Sequence, residues 1–408
     1  MDAIEAAQKG SAHAPATPHW LNRERLRVYS ATALACSALY FAIWSVRACV
    51  LKVPGVIPPG GDFVVFWSAA QMILQGHPLA AYDVAALHAL ELATVPGIAA
   101  TQFILPWLYP PTFLPFVLPF GLLPYWLAVP IFLGISVASY LWVVKRIVPW
   151  RDAWLPCVAF PGLALVVVTG QNSLLLAACA GLALVLLPSR PIVAGVLLGL
   201  LTVKPQLALM FPVAFVCGRS WKALGAMAVT SLGLFTLAVV VFGSASLTAF
   251  LRNAEFARSA VEAGAVFLGR MPTVFALVRM LHGGVALAYA MHLTVALGAT
   301  AVVAYAWLKP CSYALRTSAV LMATMLASAY LYDYDLVFMG LGMAWLATHG
   351  RRYGWLPGER ELLILLWLLP LGGMLLIKWI HFQLMPIVLL LALVHIARRI
   401  YLERASNT

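Results

Sequence analysis

The sequence predicts an all-α, polytopic helical membrane protein. Of its 408 residues, 63% are hydrophobic and only 10% charged, and the mean hydropathy is +0.94. A soluble domain cannot bury that much apolar surface. The apolar residues come in long runs without strict alternation, so the spans are helices and not barrel strands. Basic residues gather at the ends of apolar runs: Arg23, Arg25 and Arg27, Lys145 and Arg146, Arg351 and Arg352, Arg398 and Arg399. With a net charge of +12, that is an orientation signal and a contact with anionic membrane lipids, and no nucleic-acid partner is expected. The six cysteines are scattered through apolar runs and read as small core residues, neither disulfide framework nor metal site.

In chain order, residues 1–27 are a polar, increasingly basic cytoplasmic tail. Residues 28–50 form a first, retained span, and the arginines before it put the N-terminus inside. The outer loop 52–106 then holds two helices, Phe63–Gln75 and Val84–Thr94, separated by the breaker Gly76-His77-Pro78. On the first, Phe63, Phe66, Trp67 and Ala70 share a stripe, which predicts a helix lying along the bilayer surface with its rings at headgroup level. A proline-punctuated segment, 106–124, precedes further spans broken at Gly170-Gln171-Asn172 and at Lys204-Pro205. A second outer loop, 243–284, carries surface helices, and a basic tail, 398–408, ends the chain. Residues 28–397 read as one transmembrane domain of about 11–13 spans at ~20 residues each. Both ends are basic and read as cytoplasmic, yet the clear spans are odd in number. The 106–124 segment or one half of the pair around Lys204 is then a broken helix lining a cavity.

Charges inside apolar segments are costly and mark candidate sites. Lys204, between two short apolar runs and before a proline, suits a phosphate as a compact point charge or snorkels from an ordinary helix end. Gln171 and Asn172 either make a plain turn or offer amides to sugar hydroxyls. The stretch Tyr332-Asp333-Tyr334-Asp335 either binds sugar or caps the next helix. Its carboxylates point to different helix faces, so they are ill placed to share a metal. Asp83 reads as an N-cap, with Tyr82 stapling onto Leu87, whereas Asp62 after Gly60-Gly61 is a cap or a catalytic group. Arg258 sits three residues after Glu255, the spacing of a surface pair; Arg258 and Arg270 are nonetheless candidate phosphate contacts. No cofactor is called for, and the histidines show no metal-ligand spacing.

These motifs in this order resemble glycosyltransferase family 87, the polyprenyl-phosphate-mannose-dependent mannosyltransferase-like proteins of the GT-C class. The resemblance runs from about residue 60 to 336. It rests on Gly61-Asp62-Phe63, Gly76, Tyr82-Asp83, Tyr109-Pro110-Pro111, Gly170-Gln171-Asn172, Gly195 through Lys204-Pro205, and Tyr334-Asp335. It implies a GT-C-like fold in the plasma or inner membrane, with an active site facing the extracytoplasmic side. It implies transfer of a hexosyl, chiefly mannosyl, or pentosyl group from a polyprenyl-phosphate donor to a lipid or glycan acceptor. Asp62 is then the base and inverts the anomeric centre, while Lys204, Arg258 and Arg270 face the donor phosphate. Tyr109, Gln171, Asn172, Tyr332, Asp333 and Asp335 line the sugar and acceptor. Family members often place Ser-Pro-His before the late Tyr-Asp pair; here Ser328-Ala329-Tyr330 stands there, so no histidine role carries over. The absence of a glycine-rich loop after a strand accords with a lipid-linked donor.

Two other classes compete. A lipid or polysaccharide transporter or flippase would also have many spans and polar breaks, but it should show internal repeats and charges deep in several spans. A non-catalytic subunit of an envelope-assembly complex would tolerate replacement of Asp62 and Lys204.

Overall fold

The structure is a computed structural model that describes residues 19–101 and 104–405. It is helical, with no strand among the described residues. Helix α1 (Arg23–Ser45), continued by one wider turn to Val50, begins inside the segment read as the N-terminal tail. The loop helices follow at the expected places, α2 (Phe63–Leu74) and α3 (Val84–Thr94). Next come the short α4 (Leu114–Gly121) and the long α5 (Tyr125–Ile147). A bent pair, α6 (Trp154–Val158) and α7 (Pro161–Thr169), leads into α8 (Ser173–Leu186), α9 (Pro191–Gly199) and α10 (Met210–Cys217). Then follow α11 (Trp221–Phe242), α12 (Ala245–Glu262), α13 (Val274–Met280) and α14 (Val285–Leu308). Helices α15 (Tyr313–Ala327), α16 (Val337–Tyr353), α17 (Glu359–Ile380) and α18 (Met385–Ala405) complete the fold.

The expectation of about 11–13 spans is not met. Among the described residues six helices are long and apolar enough to cross a membrane: Arg23–Val50, α5, α11, α14, α17 and α18. Counting the pair α6–α7, bent by 42°, as one span makes seven. The remaining apolar runs form helices such as the 14-residue α8, which reaches only ~21 Å against a ~30 Å hydrocarbon core. The apolar residues of α7 and α8 mostly cover protein, whereas α9 also exposes Ile192, Val193 and Val196. Leu174, Ala177, Ala180 and Leu184 of α8 are fully buried, and Leu163 and Val166 of α7 face the same core.

Helix α2 corrects a second expectation. It does not lie along the protein's outside: Phe63, Val64, Val65, Phe66, Ala69, Ala70 and Met72 are all buried. It packs against α4 and α5, and its rings enter an aromatic cluster with Phe66–Phe113 centroids 5.2 Å and Phe63–Phe132 centroids 4.7 Å apart. The physical reason lies in α4, a short helix of eight residues whose end leaves carbonyls unpaired. Trp67 Nε1 donates to the Leu123 carbonyl and Gln71 Nε2 to the Gly121 carbonyl. Trp67 and Gln71 of α2 thus bond to protein, not to water.

Two tight approaches organise the core. Helices α9 and α11 run parallel because Gly195 and Gly199 let the backbones close; a Cβ on Gly195 would meet the Ala223 carbonyl at 2.2 Å. The Gly60–Asp62 loop lies across the end of α7. Gly60 N–H donates to the Val168 carbonyl at 2.7 Å, and Asp62 N–H to the Thr169 carbonyl at 2.8 Å. Gly170 ends α7 at φ +82°, and a Cβ there would stand 2.5 Å from the Gly60 carbonyl oxygen.

Gly76 has nearly the same backbone angle, φ +83°, and open space around it. Gly76→Ala should therefore cost only the left-handed strain, about 1–2 kcal/mol. Gly170→Ala should cost clearly more, because its new methyl group forces the two loop hydrogen bonds apart. Thermal unfolding of the detergent-purified variants compares them; equal melting temperatures would contradict the close packing at Gly170.

Candidate functional site

Asp62 stands at the start of α2, but its side chain caps nothing there. Its carboxylate accepts a 2.9 Å hydrogen bond from Gln171 Nε2, and Gln171 Oε1 accepts one of 2.9 Å from the Tyr109 hydroxyl. Tyr109 is held within the aromatic cluster, 5.4 Å from Phe66 and 4.8 Å from Phe113. The Tyr82 hydroxyl donates to the Tyr109 carbonyl, and Asn253 of α12 donates to the carbonyls of Tyr82 and Trp107. Helix α12 is thereby tied to the loop that holds Tyr82 and Trp107.

Lys204 sits between two tight turns, Leu200–Val203 and Pro205–Ala208, where extended backbone (φ −138°, ψ 76°) interrupts the helical path. It is 6% exposed, so it does not snorkel. Its Nζ is 3.0 Å from Asp335 Oδ1 and 3.3 Å from Ser173 Oγ, and 4.7 Å from the centre of the Tyr334 ring. Arg270 grips Asp333 with two hydrogen bonds, at 2.9 and 3.0 Å, and its Cζ lies 5.9 Å from the centre of the Tyr334 ring. Tyr332 stacks on Tyr334, with centroids 5.5 Å apart and planes at 11°. The tight turn Asp333–Leu336 has about three residues per turn, so Asp333 and Asp335 diverge and take different cations. Tyr332 N–H donates back to Asp335, so the turn is also capped.

Asp62, Tyr109, Gln171, Lys204, Arg270, Tyr332, Asp333 and Asp335 thus gather at one place. Asn172 adjoins them, buried, with neither amide atom hydrogen-bonded. Arg258 does not join. It is exposed on α12 and paired with Glu255 and, at 2.8 Å, with Glu262, because carboxylates one turn away on its own helix are nearer than any group of the site. Asp83 caps α3, accepting from Ala85 N–H at 2.9 Å and Ala86 N–H at 3.0 Å.

Two residues went unread in the sequence. Ser173 bridges Lys204 and Asp335. Glu91 of α3 is fully buried, with Oε1 unpartnered and Oε2 3.3 Å from His88. Its signal was legible: Glu91 falls four residues after the buried Leu87, on the apolar stripe of α3. Burial, reinforced by the negative charge of Asp62, pushes its carboxyl up to about 8. Burial also raises the Asp62 carboxyl above the usual carboxylate range, against the Gln171 hydrogen bond and the charges of Arg270 and Lys204.

A helical membrane protein with a buried, charge-paired cluster where its short core helices end is the class that this fold and site define. The chain belongs to glycosyltransferase family 87, whose family model matches residues 107–329. It is a membrane glycosyltransferase. The matched stretch holds Tyr109, Gln171, Asn172, Lys204 and Arg270; Asp62 and the Tyr332–Asp335 turn lie outside it. No curated protein and no solved structure matches the chain.

Titration of Asp62, followed by carbon NMR of labelled aspartate, should place its pKa above the unperturbed ~3.9. Gln171→Ala removes a hydrogen bond that favours the charged form, so the pKa should rise further. A value at or below ~3.9 in the wild type would show that the Gln171 hydrogen bond and the nearby cations, or solvent, outweigh burial.

Proposed function

We propose that this glycosyltransferase moves a sugar from a polyprenyl-phosphate donor to a hydroxyl of a lipid or glycan acceptor, on the extracytoplasmic face, with inversion. By family resemblance the sugar is a hexosyl group, chiefly mannosyl, or a pentosyl group. The observation that carries this reading is the position of Asp62. Its carboxylate is free of capping duty, is oriented by Gln171, and lies within electrostatic reach of Lys204 and Arg270.

In this reaction Asp62 takes the proton of the acceptor hydroxyl. The acceptor oxygen bonds to the anomeric carbon, and the bond from that carbon to the phosphate oxygen breaks with its electron pair going to the phosphate. Attack from the side opposite the phosphate inverts the centre. Lys204 uses donors on Asp335 and Ser173 and keeps a third; Arg270 uses Nε and Nη2 on Asp333 and keeps Nη1. These spare donors suit the departing phosphate. Asn172, buried with both amide atoms unpartnered, suits a sugar hydroxyl. Arg23, Arg25 and Arg27 in the first turns of α1 argue for the extracytoplasmic side, since basic residues at that end of the first span favour an inside N-terminus and an outside first loop.

The test is transfer of radiolabelled sugar from polyprenyl phosphate to a lipid extract in sealed vesicles whose extracytoplasmic face alone is accessible. Asp62→Asn preserves shape and should lower turnover ~10²–10⁴-fold with donor binding near wild type. Asp83→Asn should be nearly silent, since Asn caps about as well as Asp. Near-normal turnover in Asp62→Asn, or movement of donor across the vesicle wall without transfer, would reject the proposal.

Lys204 separates structure from donor binding. Lys204→Met alone strands a buried Asp335 charge and should destabilise the fold by ~3–5 kcal/mol. Lys204→Met with Asp335→Asn removes both charges and should recover most of that stability. It should still bind donor on the order of tenfold to a hundredfold more weakly, the worth of a charged hydrogen bond. Recovery of both stability and donor affinity would make the pair purely structural.

A further inference from the structure

Helices α8, α9 and α15 each have one end at the Asp62 site. Ser173 opens α8, Lys204 follows α9, and Ser328–Tyr332 follows α15. Their other ends meet around a cavity of about 520 Å³, at the opposite end of the 14-residue α8 and ~21 Å along it. Arg219, Lys222 and Arg316 line this cavity together with Trp221, Trp307 and Tyr313, and no acidic residue does.

This charge distribution differs from that of the Asp62 site. Lys204, Arg258, Arg270, Arg351 and Arg399 each meet a carboxylate. Among the described residues none pairs with Arg219, Lys222 or Arg316. Arg316 donates to the Lys309 carbonyl and neighbours the Cys311 thiol, and its Nε is buried without a hydrogen-bond partner. Arg219 is held at φ +51°, a left-handed backbone that a side chain adopts at a cost. The parallel pair α9 and α11 opens at the same rim, at Pro191 and Trp221, and neither helix start is capped by a side chain. Cations and free N–H groups therefore converge on a space that no acidic residue lines among the described residues.

The cavity's depth also follows from its neighbours. Trp221 begins the candidate span Trp221–Phe242, and Leu308, next to Trp307, ends the candidate span Val285–Leu308. Span ends with tryptophans lie at headgroup level. We infer that this cavity binds a phosphate group at the membrane face opposite the Asp62 site, with Arg219, Lys222 and Arg316 as its ligands and the aromatic rings flanking the ester carried on it. A lipid headgroup and a free phosphate share that chemistry.

The full chain, purified in neutral detergent, is titrated with phosphatidylglycerol, phosphatidylcholine or inorganic phosphate, and its thermal unfolding is followed. Binding to the folded state raises the melting temperature, and the titration gives an apparent affinity. Phosphatidylglycerol should stabilise the protein more than phosphatidylcholine does. Arg219→Gly, which keeps the left-handed backbone, and Lys222→Gln should each weaken that binding on the order of tenfold. Arg252→Gln, on exposed α12 outside the cavity, should leave it unchanged. Stabilisation by inorganic phosphate that is lost in the same variants supports the site with a free anion as occupant; stabilisation by phosphatidylglycerol alone makes the occupant a lipid. Lys222 is exposed, so its variant carries the test if Arg219→Gly does not fold. The inference is overturned if neither anion stabilises beyond phosphatidylcholine, or if both cavity variants keep wild-type affinity.

Discussion

Two backbone hydrogen bonds, from Gly60 to Val168 and from Asp62 to Thr169, position everything else at the candidate site. They lay the Gly60–Asp62 loop across the end of α7, so the next four residues all serve the same place. Gly170 lets the loop approach. Gln171 bonds Asp62, Asn172 stays unpartnered, and Ser173 joins Lys204 to Asp335. A side chain at Gly170 would separate the loop from the turn, and with it Asp62 from the cations. The constraint is steric, but its consequence is electrostatic.

The turn Asp333–Leu336 supplies the second constraint. Two carboxylates on one short turn would repel if they shared a direction. The three-residue period of the turn sends one to Arg270 and the other to Lys204, with Tyr334 near both cations. Buried pairs of this kind contribute little net stability, because desolvation offsets most of the attraction. Their consequence is placement, since neither cation can move without stranding a carboxylate. Both therefore keep their remaining donors in fixed directions, which is the preorganisation that a departing anion requires.

Much of this was legible in the sequence. The loop helices were expected at Phe63–Gln75 and Val84–Thr94, and they are α2 and α3. Gly76-His77-Pro78 and Lys204-Pro205 are breaks because glycine and proline act locally, and local effects survive without tertiary information. What failed depended on partners. The aromatic stripe of α2 predicted a surface helix, since an apolar stripe reads alike whether lipid or protein covers it. The span count failed for the same reason: α8 and α15 are as apolar as true spans but too short. The spacing of Glu255 and Arg258 predicted a surface pair, and that is where Arg258 lies. Glu91 was visible as an acid on an apolar stripe, but its proximity to Asp62 is a property of the fold.

The charge count of the site bears on how the proposed transfer proceeds in so closed a space. Ionised Asp62, Asp333 and Asp335 against Lys204 and Arg270 leave one surplus negative charge. A sugar joined to a polyprenyl phosphate is a diester with one negative charge, and the polyprenyl phosphate that leaves is a monoester with up to two. Over the same step Asp62 accepts the acceptor's proton and becomes neutral. The total charge of the site is then the same before and after transfer. Burial, which lifts the Asp62 carboxyl, makes the proton easier to keep once it has moved. A low-dielectric site penalises a change in net charge far more than a displacement of charge within it. Lys204 and Arg270 therefore need only follow negative charge from the Asp62 carboxylate to the phosphate. Fixed donors accomplish that without reorganisation, and in the proposed transfer this is the reason for placing Asp62 and the paired cations in one buried cluster.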